Sequence, residues 1–467
     1  MSLRIEFLGH ASMLVRTEDA TVLIDPLLFG VHQEGTYDIF PSRKLDIHEL
    51  PPIDVIVVTH AHLDHFDPSS LAMLPRKVPV VVPRDSVLLG SLQGLGFEAI
   101  KPVAPFATMT LGSLTLTATP PADGAVEIGI AMQHGDVTAW NLVDTLPSVD
   151  AVAEVLDRIG RVDVAIAPWQ PLQDITFFRG EPPVFPLAFY RRILANIVQM
   201  RPGYFVAGSC GFCAVDEYAY ANNLIFPVTR ARALDDVQRV CPELRGRVAA
   251  ADPGNVIELH GRGDVRFEAA ALPYCRAEPY DWEKLAFRPF EMGLPVRELR
   301  GAPFSVDGCG EAVAAFFTEA LLAVVRDKAP SFEWHRRYGV RHQFEVVFHD
   351  GVTRYWLLDL AGEEPRVTEE RSPLALGFSV ITASMLLQLV AGTASLEHAL
   401  MSGQLRLYDH HYAVTEAGIL DSPPISFANV LENVFGFGES MERVISAQLS
   451  HIVEASQRAA EGNAQAS

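Results

Sequence analysis

Basic residues are scarce in this chain. Lys and Arg number 37 against 58 Asp and Glu, a formal net charge of −21 over 467 residues. A surface so short of cations cannot neutralise a phosphate backbone, which excludes nucleic acid as a partner class. Cysteine is also sparse. Five scattered residues are too few for a disulfide framework. Cys210-Gly211-Phe212-Cys213 forms one C-x-x-C, but Cys241, Cys275 and Cys309 supply no second pair, so a structural zinc knuckle is excluded. Small residues buried at a strand end are the expectation there. No stretch reaches the uninterrupted apolar length of a membrane span, and the opening Met1-Ser2-Leu3-Arg4-Ile5-Glu6 has no signal-peptide core. A cytoplasmic protein is expected. Internal repeats are absent as well.

What is present is the composition of a folded protein, 49% hydrophobic and 20% charged, at a length that calls for two or three domains. Short strands are expected at 5–8, 13–15 and 22–24, the last ending at Asp25-Pro26. The continuous apolar run Val55-Ile56-Val57-Val58 fits a strand buried on both faces. Asp67 followed by Pro68 reads as the cap and first turn of a short helix. Further strands are expected at 78–82, 114–118, 128–132 and 138–143, with a hairpin turn at His134-Gly135-Asp136. Helical spacing at 149–159 precedes a buried strand at 162–167. Residues 177–189, with Pro182, Pro183 and Pro186, are expected to form a loop near the active-site mouth. A helix at 190–200 and a strand at 204–207 follow, with a domain boundary at 293–303. Beyond it the grammar changes to α+β. An amphipathic helix is expected at 311–327, a hairpin at 342–358 around Asp350-Gly351, a strand at 378–382, helices at 383–390 and 396–401, and a strand at 405–407. Residues 429–458 read as helix and 459–467 as a disordered tail.

Chemistry concentrates in His60-Ala61-His62-Leu63-Asp64-His65, just past the buried run at 55–58. Four potential ligands in six residues sit where a strand enters a loop, so their side chains can converge without straining the sheet. Imidazoles at i and i+2 can hold one ion, and the carboxylate and imidazole at i+4 and i+5 can turn to a second. Histidines packed into an apolar core instead would lack hydrogen-bond partners.

This run resembles the H-x-H-x-D-H signature of the metallo-β-lactamase superfamily. Phe7-Leu8-Gly9-His10-Ala11-Ser12 and Leu23-Ile24-Asp25-Pro26 are similar to that family's opening strands and to its aspartate beneath the metal cluster. The resemblance covers about residues 3–290 and implies an α/β fold, a four-layered αββα sandwich, with the C-terminal α+β domain outside it. It implies domains at 1–295 and 296–458. It also implies Asp144, in Asn141-Leu142-Val143-Asp144, as a bridging carboxylate. The family's third histidine is missing, and Thr119-Pro120-Pro121-Ala122-Asp123-Gly124 offers Asp123 in its place, with Glu127 as the alternative. No imidazole occurs in Phe205-Val206-Ala207-Gly208-Ser209-Cys210, where a last histidine is expected; His134 is the nearest spare and reads as exposed at a turn.

Exchanging imidazole for carboxylate hardens the site. That tilts it from zinc toward iron or manganese. The order of these segments is similar to CMP-N-acetylneuraminate hydroxylases and to non-haem diiron monooxygenases of natural-product pathways. The Cys-x-His and Cys-x-x-His pairs of a Rieske cluster are absent, so an oxygenase here needs an external reductase or ferredoxin. The metal set is therefore His60, His62, Asp64, His65, Asp123 and Asp144, with Asp64, His65 and Asp144 closest to the chemistry. Two iron ions are the expected cofactor and zinc or manganese the alternative, the latter for hydrolysis of an ester, thioester or phosphoester. Residues 379–407 are similar to sterol-carrier-protein-like domains, which implies an apolar ligand or a dimer interface. A homodimer is the commonest assembly for such chains. His410-His411 is discounted as a metal pair, because neighbours on a strand point apart.

Overall fold

The structure is a computed structural model. It describes residues 2–121, 125–172, 177–179, 184–209, 211–225, 227–280, 285, 296–298, 304–375, 377–409, 413–415, 418–420 and 429–465. The chain divides into two compact units, Met1–Leu172 with Phe185–Arg288 and Gln448–Ser467, and Gln173–Val184 with Pro289–Ala447. The expected boundary at 293–303 falls largely outside the described residues, as do Cys210 and His410-His411.

In the first unit, eight strands run in the order Asp264–Glu268, Val256–Gly261, Leu3–Gly9, Ser12–Arg16, Thr21–Ile24, Val55–Val57, Val80–Pro83 and Ile100–Val103. The first five are antiparallel and the last three pair in parallel. Parallel pairing needs crossovers, and the helices Pro68–Ala72 and Ser86–Gly94 supply two of them. Val55-Ile56-Val57 lies between two parallel neighbours and is buried throughout, which is why the run carries no polar alternation. A second sheet of seven strands repeats the scheme, antiparallel from Thr108–Leu111 to Val137–Asn141 and parallel through Val164–Ala167, Tyr204–Ala207 and Val248–Ala250.

The two sheets share one core. Ile5, Phe7, Val22 and Val57 of the first meet Leu116, Ile130, Val164 and Val206 of the second. Helices Val149–Ile159, Leu187–Met200 and Arg230–Val240 connect the parallel strands of the second sheet. The result is the four-layered metallo-β-lactamase fold, in which the loops after the parallel strands are free to carry ligands. The 177–189 segment is not all loop: helix begins at Leu187, and 177–179 cluster with the second unit.

The second unit is α+β. Its five-stranded sheet runs Arg366–Thr368, Thr353–Asp359, Arg341–Val347, Gly377–Thr382 and Leu405–Asp409. Gly351, at φ 79°, allows the tight turn that joins two of these strands. The helix expected at 311–327 begins earlier, at Val306, because Ser305 caps it by accepting from the Gly308 N–H. It contains one π-helical turn, Phe316–Ala320, and Phe317 stacks on Trp356 with ring centroids 4.5 Å apart.

Among the described residues, Val306–Asp327 is by length and composition long and apolar enough to cross a membrane, although Phe317, Leu321 and Val325 are buried in the unit's core. The final helix, Phe437–Gln465, continues through most of the stretch read as a disordered tail.

Candidate metal centre

The cluster forms where strand Val55–Val57 leaves the sheet. Asp25, at φ 44° just past strand Thr21–Ile24, accepts from the Thr59 N–H at 2.8 Å and from the Thr59 hydroxyl at 2.7 Å. A buried carboxylate thus ties the two parallel strand ends together. His65 and Phe66 then fold back to the His62 carbonyl, and Asp67 caps the next helix by accepting from Ser70 N–H. Asp144 enters from the other sheet. Val143 takes a left-handed φ of 56°, stabilised by its N–H on Asn141 Oδ1 at 2.9 Å, and this turn aims Asp144 at the cluster.

The geometry is tight. His60 Nε2 lies 3.0 Å from His62 Nδ1. His65 Nε2 lies 3.1 Å from Asp144 Oδ2, 3.7 Å from Asp64 Oδ2 and 3.2 Å from His10 Nε2. His10 Nε2 is 3.1 Å from Asp64 Oδ2. Gln33 reaches Asp64 Oδ1 at 3.4 Å. His60, His65 and Asp144 bring one donor atom each within 4.8 Å of one another, and so do His10, Asp64 and His65. His60 and His65 are buried, whereas His62 stands exposed at the rim. Asp144 keeps 32% of its side chain exposed, yet its Oδ1 is buried without a hydrogen-bond partner.

Electrostatics follow from this crowding. Burial pushes the His65 imidazole down, but Asp144 and Asp64 outweigh it and hold His65 well above the usual histidine range. The same contacts, led by His65, hold Asp64 and Asp144 below the usual carboxylate range against the upward push of burial. His60, desolvated and beside His65 and His62, is held well below the usual histidine range. Burial and then Asp144 push Glu127 up.

A metal ion fits this donor set. A carboxylate oxygen buried without a partner is costly, and nitrogens 3.0 Å apart require one to donate to the other. A cation between them resolves both problems. Three imidazoles with Asp64, Asp144 and a further carboxylate make a mixed N/O set suited to iron, manganese or zinc.

The structure brings His60, His62, Asp64, His65 and Asp144 together as the sequence suggests. Asp123 lies outside the described residues. The alternative, Glu127, faces the cluster: Asp144, His62 and His65 all act on its carboxyl. The Ile128 N–H, donating to the Thr59 carbonyl at 3.1 Å, docks this segment beside the motif. His134 is corrected: it is buried, with Nδ1 3.3 Å from the Ser113 carbonyl, and takes no part in the cluster. Sequence reasoning missed His10, His32 and Gln33 as site residues. His10 lay inside the quoted opening motif, so its signal was present; the other two had none. The segment lacking the last histidine contributes a backbone group instead, the Gly211 N–H, which donates to His10 Nδ1 at 3.1 Å.

Residues 4–111 match the family described as the beta-lactamase superfamily domain. The chain has the metallo-β-lactamase fold, and relatives with that fold include metal-dependent enzymes. It is 27% identical over 187 residues to a Rieske 2Fe-2S iron-sulfur protein of Mycobacterium tuberculosis, covering 36% of each chain. It is 27% identical over 175 residues to a UPF0173 metal-dependent hydrolase of Salinibacter ruber, covering 35% of this chain and 71% of that one. A 4-amino-L-phenylalanyl-[CmlP-peptidyl-carrier-protein] 3-hydroxylase of Streptomyces venezuelae is 30% identical over 153 residues, covering 29% of this chain and 26% of that one. The chain thus spans about a third of the Mycobacterium relative's length, 36%.

Proposed function

We propose that this chain is a non-haem diiron monooxygenase that hydroxylates an apolar or carrier-activated small molecule, with electrons from an external reductase or ferredoxin. One observation carries the reading: Asp144 sets one oxygen 3.1 Å from His65 Nε2 and leaves the other unpartnered, while His60, His65 and Asp144 bring a donor atom each within 4.8 Å of one another. In this reading His60, His62 and a carboxylate, Glu127 or Asp123, hold one ion. Asp64 and His65 would hold the second, with Asp144 available to both. Iron bound there supplies oxygen activation, which no protein side chain provides. The protein's own residues fix the ligands. Asp25 anchors His65 and Thr59, and Thr59 anchors His60. The Streptomyces hydroxylase, whose printed substrate is carried on a peptidyl-carrier protein, supports a carrier-bound substrate.

The Salinibacter relative favours a second reading, a zinc or manganese hydrolase in which Asp64 accepts a proton from bound water. Metal analysis of protein purified from iron-supplemented medium separates the two. The oxygenase reading expects iron near two equivalents and a visible absorption band that bleaches on reduction. Zinc, together with turnover of a chromogenic ester, would overturn it.

A further inference from the structure

We infer that His10 is a fixed N–H donor to Asp64 and not a metal ligand, so that among the described residues the second metal position would draw its ligands from Asp64, His65 and Asp144. This rests on the metal reading above, but its evidence is separate: the hydrogen-bond partner of each ring's second nitrogen. In a neutral imidazole one nitrogen carries the proton and the other the lone pair, and the outer partner decides which.

Two rings are set as ligands. The Thr59 hydroxyl gives its proton to Asp25 Oδ2 at 2.7 Å, so at 3.1 Å it can only accept from His60 Nδ1. The proton on Nδ1 leaves His60 Nε2 as a lone pair facing the cluster. His65 Nδ1 donates to Asp25 Oδ2 at 2.9 Å, so once a metal displaces the proton that Asp144 and Asp64 favour on the ring, Nε2 offers its lone pair to the cluster.

His10 is set the other way. The Gly211 N–H donates to His10 Nδ1, so Nδ1 holds the lone pair and Nε2 the proton. That proton has two acceptors in reach, Asp64 Oδ2 at 3.1 Å and His65 Nε2 at 3.2 Å. With His65 committed to a metal, Asp64 remains. Reversing the tautomer would set a buried Nδ1–H head-on against the Gly211 N–H.

The surroundings hold the ring in place. His10 takes a left-handed φ of 50° and is buried, with its ring edge-on to Phe212 at 74°, centroids 5.6 Å apart. A Cβ on Gly211 would lie 2.9 Å from the His10 Cα, so this backbone donor approaches only because it is glycine. Where a final imidazole is expected, the chain presents an N–H donor that orients a ligand. His10 is therefore a positioning residue.

Long-range 1H–15N correlation spectra of histidine-labelled protein, metal-free and zinc-loaded, test this, with the His10 signals assigned by their loss in His10→Gln. The expected pattern is Nε2 protonated and Nδ1 unprotonated in both states, while zinc shifts only the His60, His62 and His65 signals. His10→Gln, which keeps an N–H donor, should retain both ions. His10→Ala should weaken the second ion on the order of tenfold. Loss of the Nε2 proton on zinc binding, an Nδ1–H in the metal-free protein, or one ion fewer in His10→Gln would overturn the inference. If the wild type takes up no metal, the functional reading fails, while the metal-free spectrum still decides the tautomer.

Discussion

Both units bury polar groups, but they use them differently. In the first unit imidazoles and carboxylates converge from three chain segments: His10, the 60–65 run and Asp144. In the second, His342 Nε2 meets the Ser379 hydroxyl at 2.8 Å, and that hydroxyl reaches Asn429 Oδ1 at 3.0 Å, a neutral relay that packs the sheet. Arg406, also buried, lies over the Phe177 ring at 4.6 Å with no carboxylate partner among the described residues. Mixed charges with unsatisfied oxygens signal a bound cation. Neutral groups hydrogen-bonded to one another, as in the His342–Ser379–Asn429 relay, signal architecture.

The sharpest way to break that contrast is to remove the shared carboxylate. Asp144→Ala should cost at least one metal ion per chain and lower turnover on the order of a hundredfold. His342→Ala should leave the metal count unchanged. Equal metal loss in both variants, read by elemental analysis, would erase the distinction. Next in size is the choice between two carboxylates. Glu127→Gln should weaken metal binding by roughly tenfold or more in chelator competition, with Asp123→Asn close to wild type. The reverse ranking would restore Asp123 as the ligand.

A pH effect comes third. Burial holds the His32 imidazole down to about 4 from 6.5. Between those values the unfolded chain binds more protons than the folded one, so stability falls as pH falls through this window. This group alone contributes about 3 kcal/mol to that loss. Denaturant titrations of metal-free His32→Gln should show a flatter acid limb than wild type; an unchanged slope would remove the assignment. The smallest effect is expected in the second unit. Arg406→Met should change stability by no more than about 1 kcal/mol, or raise it, because a buried charge without an anion gains little. A loss of several kcal/mol in calorimetry would reveal an anionic partner.

The fold was legible where burial is two-sided. Val55-Ile56-Val57 could hardly be anything but an inner parallel strand, and Val149–Ile159 and Leu396–Met401 matched their helical spacing. The metal run was legible because its four donors are contiguous. His32 and Gln33 were not, since the loop after Asp25 brings them in from outside any motif, whereas His10 stood in the opening motif and joins the site through the pairing of Leu3–Gly9 with Ser12–Arg16. Glu127 was legible only as an alternative, because its place beside the motif depends on one backbone hydrogen bond, Ile128 to Thr59, which no side-chain pattern encodes. His134 misled because a strand end can bury its last residue against a neighbouring turn, here the Ser113 carbonyl.

Anomalous diffraction at the iron edge, from crystals of iron-loaded protein, tests the centre most directly. The expected result is two peaks, one against His60, His62 and Glu127 and one against Asp64 and His65, with Asp144 touching both. A map with no peak at these side chains, from protein shown to be loaded in solution, would contradict the account.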